Sequence, residues 1–333
     1  MGKTFEITTL RKDVTTDGRR ATVAFSKNWF EDAKRRDFTI NALYCDCKGN
    51  LFDPLRGYQD LQIRKVRFIG DAKQRIREDF LRILRFFRFY ATFGEGPIDP
   101  SGLEACIKEK SGIRTLSGER IKSEILRLLI AKRSYQALAI MDESAILEPA
   151  LGLKPDLSVF KHLGEIEKEY GLAADALLRL CALLIKNKTD ARTLTSRLKL
   201  SNAQAGRLNH ALQMEDEEPF LAKALTAGLS EPALRKAVYL LGPETFRDKC
   251  LLEWARTKKP TTDPAFKKAF EFSKNWLPPE MPFKGADLIA LGFKPGPGIG
   301  RTLSQFETWW IEEDFPASRD QLEKKLVELA KHD

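Results

Sequence analysis

The run Glu78-Asp79-Phe80-Leu81-Arg82-Ile83-Leu84-Arg85-Phe86-Phe87-Arg88-Phe89-Tyr90 constrains the fold more than any other stretch. Read as a helix at about 100° per residue, it gathers Phe80, Ile83, Leu84, Phe87 and Ala91 on one side and Glu78, Arg82, Arg85 and Phe89 on the other. One face packs against a core; the other is left for polar work. Asp79 and Arg82 are neighbours at i, i+3, and Arg85 and Arg88 continue the spacing. A carboxylate accepts from the exocyclic amine of cytosine or adenine, and a guanidinium donates to the ring nitrogen beside it. The pair can therefore mimic the edge of a template base, while the other arginines hold phosphates. The same residues also fit a solvated, salt-bridged face, and the helix alone does not choose.

A chain of 333 residues, 43% hydrophobic and 31% charged, buries a real core and has room for about two domains. The net charge of +9 and pI near 9.2 point to an anionic partner. Because Lys and Arg are interleaved with Asp and Glu, nucleic acid fits better than a disordered basic tail; charge for solubility is the alternative. Five scattered cysteines, Cys45, Cys47, Cys106, Cys181 and Cys250, do not make a disulfide framework and imply a reducing compartment. In a strand, Cys45 and Cys47 would share a face. His162, His210 and His332 lie in no ligand spacing. With no run of about 18 apolar residues and no signal peptide at Met1-Gly2-Lys3-Thr4, the expectation is a cytoplasmic chain without a membrane partner.

In chain order, Thr4 to Arg11 alternates and is β-branched, predicting a strand, and Ala21 to Phe25 predicts a second after a turn at Asp17-Gly18. Leu43 to Cys47 and Leu51 to Asp53 predict a hairpin across Lys48-Gly49-Asn50, and Arg64 to Phe68 a basic strand. Between them, Arg35-Arg36-Asp37-Phe38-Thr39-Ile40-Asn41-Ala42 crowds two guanidiniums, a carboxylate, a hydroxyl and an amide into an apolar run, as a pocket for phosphates and ribose requires. Beyond residue 133 the period is helical: Ser134 to Leu147, Asp175 to Lys186, Ser201 to Met214 and Glu231 to Leu241. Thr257 to Pro264 has the composition of a linker. The Gly-rich turn Lys294-Pro295-Gly296-Pro297-Gly298-Ile299-Gly300-Arg301 then opens a predicted helix, Thr302 to Glu312. Such a turn either offers backbone N–H groups to a phosphate or simply joins helices. Trp309 and Trp310 diverge by about 100°, so at most one faces a ligand.

The motif at Arg35 to Ala42, then Asp53-Pro54 with Gly57 and Asp60-Leu61, then Glu78-Asp79-x-Leu81-Arg82-Ile83-Leu84-Arg85, resembles the successive motifs of the class II tRNA nucleotidyltransferase (CCA-adding) and bacterial poly(A) polymerase family. The resemblance implies an α+β fold, with a polymerase-β-type head sheet and a mostly helical neck, body and tail. The boundaries expected are head 1–70, neck 71–133, body 134–256 and an RNA-binding tail 257–333. It implies addition of CMP and AMP from CTP and ATP to a tRNA 3′ end with Mg2+. By the same resemblance Arg36 binds incoming nucleotide, beside Arg35, Asp37 and Asn41; Asp79 and Arg82 read its base; Arg85 and Arg88 contact it. Ser117-Gly118-Glu119-Arg120-Ile121-Lys122-Ser123-Glu124 resembles a neck-helix motif, in which Ser117 is a candidate N-cap and Arg120 and Glu124, at i, i+4, are expected to pair. In the tail, Gly296, Gly298, Gly300 and Arg301 are the RNA-binding candidates.

Heads of this family also carry a Gly-Gly turn for triphosphate and an Asp-x-Asp pair for two magnesium ions, and neither precedes the motifs in this sequence. Glu6 matches a third acidic position that supports the pair, although a strand residue facing solvent would look the same. The expectation is an incomplete metal site and a head whose opening part is missing. Three functions stay open: CCA addition, AMP-only addition by a poly(A) polymerase, and tRNA binding without catalysis.

Overall fold

The computed structural model describes residues 8–17, 20–184, 186–212 and 225–330. They form two compact units, one running to residue 209 and one from residue 210.

The first unit opens with an antiparallel hairpin, β1 (Arg11–Asp17) and β2 (Arg20–Phe25), with a register irregularity between Asp13 and Thr15. Of the predicted strand Thr4 to Arg11, residues 4–7, Glu6 among them, lie outside the described residues, residues 8–10 are not in a strand, and Arg11 begins β1. Helix α1 (Trp29–Arg35) follows, capped by Asn28, whose side chain accepts from the Phe30 amide. The predicted second hairpin is present but short, β3 (Tyr44–Cys45) against β4 (Leu51–Phe52). Its turn is organised by Asp46, whose carboxylate accepts from the Lys48 and Asn50 amides and the Asn50 side chain. These bonds hold the Asp46 carboxyl below its ordinary range. Cys47 falls in that turn, not in the strand with Cys45.

Arg64 to Phe68 is not a strand. Arg64 has a left-handed backbone (φ 51°), and among the described residues the segment makes a single bridge, Phe68 to Phe38, which the Thr39 and Ile69 amides flank by bonding to the Arg67 and Asp37 carbonyls. That bridge ties the 35–42 motif to the core. The Asp53-Pro54/Gly57/Asp60 motif supports it from below: Asp53 accepts from the Gly57 and Tyr58 amides at the start of α2 (Gly57–Gln62), and buried Asp60 takes the Thr39 hydroxyl at 2.7 Å. A Cβ on Gly57 would lie 2.1 Å from the Thr39 carbonyl oxygen, so this approach admits only glycine.

The predicted helix from Glu78 is broken in two. Helix α3 (Ala72–Glu78) ends at Asp79, whose backbone is extended (φ −157°, ψ 105°), and α4 (Leu81–Phe93) begins two residues later. Asp79 Oδ1 accepts from the Leu81 amide at 3.1 Å and its carbonyl from the Arg82 amide at 3.0 Å. A short carboxylate here competes with the helix by taking the first amide of α4, whose N-cap, Phe80, makes no side-chain capping bond. Of the residues the period places on the apolar face, Ile83, Leu84, Phe87 and Ala91 are fully buried and Phe80 is half-buried; Phe86, outside that set, is fully buried as well. Phe38, Phe68 and Phe86 form a ring cluster with centroids 5.0 to 6.1 Å apart.

Helices α5 (Pro100–Glu109), α6 (Gly118–Leu129), α7 (Ser134–Glu143), α8 (Leu147–Leu151), α9 (Leu157–Glu169), α10 (Ala176–Leu184), α11 (Lys188–Leu198) and α12 (Asn202–Leu212) follow. The predicted helix Ser134 to Leu147 stops early because Ala145 turns left-handed (φ 53°) and the Ile146 amide reaches back to the Met141 carbonyl. Ser117 stands at the N-cap of α6, but its side chain makes no capping bond.

In the second unit, Glu231–Leu241 is helical as read, and Pro243–Thr257 and Pro264–Asn275 form a helical pair. The linker-like stretch between that pair is a tight turn. Trp254 stacks on Phe266 at 5.5 Å and donates its indole N–H to the Pro260 carbonyl, and Asp263 caps the second helix. The last helices are Gly285–Ala290, Pro297–Glu312 and Arg319–Ala330. Trp310 is buried among Phe283, Leu288, Phe306, Leu322 and Leu326, with Trp309 packed at the edge, so both indoles serve packing.

Among the described residues no helix is long and apolar enough to cross a membrane. Cys45 and Cys47 are exposed, whereas Cys106, Cys181 and Cys250 are buried, and burial pushes the Cys106 and Cys250 thiols up. Iodoacetamide at neutral pH should therefore modify Cys45 and Cys47 first, with the other three protected until the chain unfolds. Peptide mass spectrometry reads the order, and early labelling of Cys106 or Cys250 would contradict this packing.

Candidate functional site

The polar side of α4, the 35–41 segment and the start of α6 border an open cavity of about 570 Å3, lined by Arg35, Arg36, Asp37, Asn41, Asp79, Leu81, Arg82, Arg85, Phe89 and Arg120. Seven of the eight residues singled out from the sequence for nucleotide contact are in that lining. The eighth, Arg88, is not: its guanidinium pairs with Glu124 and lies 4.3 Å over the Phe89 ring.

Each charged group has a fixed partner. Arg82 is held by Glu78 (2.6 Å) and donates to the Arg75 carbonyl (2.7 Å) and the Arg35 carbonyl (3.3 Å). Arg75 bonds to Glu78 and to the carbonyls of Arg35 and Arg36, so α3 and α4 pin the main chain of the 35–36 segment. Asp37, buried, accepts from the Phe38 amide and the Asn41 side chain on one oxygen and from Arg85 at 2.6 Å on the other. Arg36 donates to the Asn41 carbonyl at 2.8 Å.

The expected Arg120–Glu124 pair within α6 does not form. Arg120 reaches across to Asp79 Oδ2 at 2.7 Å, and Glu124, 4% exposed, sits between Arg88 and Arg85, the latter at 3.7 Å. A single turn of α6 thereby supplies both a clamp for Asp79 and a buried counter-charge for two arginines of α4. Inter-helix pairing wins because a guanidinium of α4 offers Glu124 a desolvated partner, whereas an i, i+4 pair on a surface is worth only a few tenths of a kcal/mol. Asp79 and Arg82 therefore do not pair with each other; one presents an acceptor and the other a donor to the same space.

Two residues that complete the arrangement were not singled out from the sequence. Asp32, 1% exposed, holds both Arg35 and Arg36, and its signal was the i, i+3 and i, i+4 spacing on α1. Arg75 left only a weaker trace, a basic residue one turn before Glu78. In the second unit Gly296 is the N-cap of Pro297–Glu312, and Gly298, Gly300 and Arg301 lie in its first turns. A Cβ added at Gly298 or Gly300 would meet nothing within 4 Å, so close packing does not account for these glycines.

Residues 1–67 match the Poly A polymerase head domain, and residues 97–160 match the probable RNA and SrmB-binding site of polymerase A. The mitochondrial CCA tRNA nucleotidyltransferase 1 of Homo sapiens is 34% identical over 323 residues, which are 96% of this chain and 71% of the human protein. The chain belongs to the CCA-adding tRNA nucleotidyltransferase family. The Danio rerio counterpart is 32% identical over 96% of this chain and 72% of its own length, and the CCA-adding enzyme of Limosilactobacillus fermentum is 29% identical over 99% and 80%. Among solved structures, the Bacillus stearothermophilus CCA-adding enzyme in complex with CTP has a TM-score of 0.70 at 24% identity, covering 100% of this chain and 81% of that one. The family's α+β fold is thus the fold of this chain.

Magnesium, which the resemblance implies, needs a cluster of hard carboxylate ligands. Among the described residues no group of three or more His, Cys, Asp or Glu side chains gathers to hold a metal ion, and the acids of the cavity, Asp37 and Asp79, are each taken by an arginine. These residues do not fit a metal centre, and no transfer step is assigned to them.

Proposed function

We propose that the chain binds CTP and ATP in the α4 cavity and selects them by base edge for CCA addition to tRNA 3′ ends. The observation that carries this is the placement of Asp79 and Arg82 in one lining, each anchored by a third residue and so presented at a fixed angle. Cytosine and adenine both present an amine donor next to a ring-nitrogen acceptor, which meets a carboxylate and a guanidinium. Uracil and guanine present the reverse order, which sets acceptor against acceptor and donor against donor. Arg35, Arg36 and Arg85 supply cations for the phosphates, and Phe89 an apolar wall for the base. The relatives named as CCA tRNA nucleotidyltransferases, and the fold shared with an enzyme bound to CTP, support the same substrate class.

The test measures binding and incorporation separately. Each of the four nucleoside triphosphates is titrated against the chain, and tRNA lacking its last three nucleotides is incubated with labelled CTP or ATP and Mg2+. CTP and ATP should bind at least about 10-fold more tightly than UTP and GTP, the size of one good two-point base contact. Equal binding of all four would refute base selection. The match to a Poly A polymerase head favours a second reading, AMP addition alone, which requires tight ATP and weak CTP binding. Salt-sensitive tRNA binding without incorporation would instead identify an RNA-binding chain without transfer chemistry.

A further inference from the structure

We infer that Asp32 is a positioning residue that sets Arg35 and Arg36 as one cationic edge for the phosphates of the bound nucleotide; this rests on the nucleotide reading of the cavity. Asp32 does not line the cavity and acts only through the two arginines that do. Its carboxylate is 1% exposed, with Arg35 Nε 2.8 Å and Nη2 2.7 Å from Oδ1, and Arg36 Nε and Nη2 each 3.0 Å from Oδ2. Each guanidinium turns its Nε/Nη2 edge to a single carboxylate oxygen, Arg35 to Oδ1 and Arg36 to Oδ2, so one carboxylate holds the same edge of both side chains through charge-assisted bonds.

Two adjacent guanidiniums would repel and splay if nothing lay between them. One buried anion shared by both removes that repulsion and leaves the pair with a net positive charge on its outer side. The Tyr44 hydroxyl donates to Oδ2 at 2.8 Å, and burial together with this bond pushes the Tyr44 phenol up to about 12, so it remains a donor at neutral pH. The Arg36 guanidinium also lies 5.0 Å from the Tyr44 ring centroid, which closes its other side. Arg36 uses Nε and Nη2 on Asp32 and Nη1 on the Asn41 carbonyl, and its guanidinium still lines the cavity, where its charge faces an anion. The main chain is fixed independently, since Arg75 and Arg82 hold the carbonyls of Arg35 and Arg36. Asp32 is therefore what the side chains depend on for direction, not what the backbone depends on for place.

The experiment is calorimetric titration of the full chain and its Asp32→Asn, Asp32→Glu and Tyr44→Phe variants with CTP and with UTP. Asp32→Asn should weaken CTP and UTP alike by about 10-fold, as expected for a lost charge-assisted hold on two phosphate ligands, with the CTP/UTP ratio kept because Asp79 and Arg82 are untouched. Asp32→Glu, which keeps the charge, should recover part of the loss. Should Asp32→Asn fail to fold, Tyr44→Phe decides, with a smaller loss for both nucleotides at constant ratio. Unchanged CTP affinity in a folded variant, or a collapsed ratio, would overturn the assignment of Asp32. A wild-type chain that binds CTP no better than UTP would instead bring down the nucleotide site itself, and the inference with it.

Discussion

Glu124→Ala should unfold the first unit at markedly lower denaturant, with a loss of about 3 kcal/mol, because it removes the buried counter-charge of Arg88. Glu124 is 4% exposed and is the partner of Arg88, whose side chain is 13% exposed, and a second partner of Arg85. Arg85 keeps Asp37 at 2.6 Å after the substitution, so the uncompensated charge falls chiefly on Arg88. Glu124→Gln retains the shape and one acceptor and should cost about half as much, since a neutral amide still accepts a hydrogen bond from Arg88. Urea unfolding followed by circular dichroism measures both. A Glu124→Ala midpoint within error of wild type would mean that the α4–α6 pairing contributes nothing.

Arg82→Ala should produce the largest functional change, loss of the preference for CTP and ATP over UTP and GTP. The side chain does two things at once. It presents a donor to the cavity, and through Glu78 and the carbonyls of Arg75 and Arg35 it locks α4 to the 35–36 segment. Removing it leaves Glu78 with Arg75 alone and should lower CTP affinity by about 1–3 kcal/mol, the range for one two-point base contact. Asp79→Asn separates the two roles. An amide in its place can still accept from the Leu81 amide and loses the ion pair with Arg120, and an Asn that turns its NH2 to the cavity presents a donor where cytosine has one. Discrimination should therefore fall with little change in stability. Retained discrimination in both variants would remove these two residues from base selection.

How much of this was legible beforehand differs by residue. The apolar face of α4 follows from period alone, and Ile83, Leu84 and Phe87 are buried as their spacing demands. The cavity lining was legible because the motifs at Arg35 to Asn41 and Glu78 to Arg85 carry polar groups inside apolar runs, and the fold brings those runs together. The break at Asp79 was not, because helical period tolerates a carboxylate at that position, and only its hydrogen bond to the Leu81 amide shows how it interrupts the helix. The partners of Arg120 and Glu124 were misjudged for a related reason. Sequence spacing sees only neighbours on one helix, whereas both side chains face α4 or the turn before it across 36 to 41 residues of chain. The second strand of the β1–β2 hairpin was legible at Ala21 to Phe25, whereas the extent of the first, Arg11–Asp17, was not, because Thr15 and Thr16 continue the β-branched run toward the turn.

The most direct test is a crystal structure of the chain with CTP bound. The cytosine amine should lie within hydrogen-bond distance of the Asp79 carboxylate, its N3 within reach of the Arg82 guanidinium, and the phosphates against Arg35 and Arg36. A cytosine ring that sits outside the α4 cavity, or one that contacts neither Asp79 nor Arg82, would contradict the account.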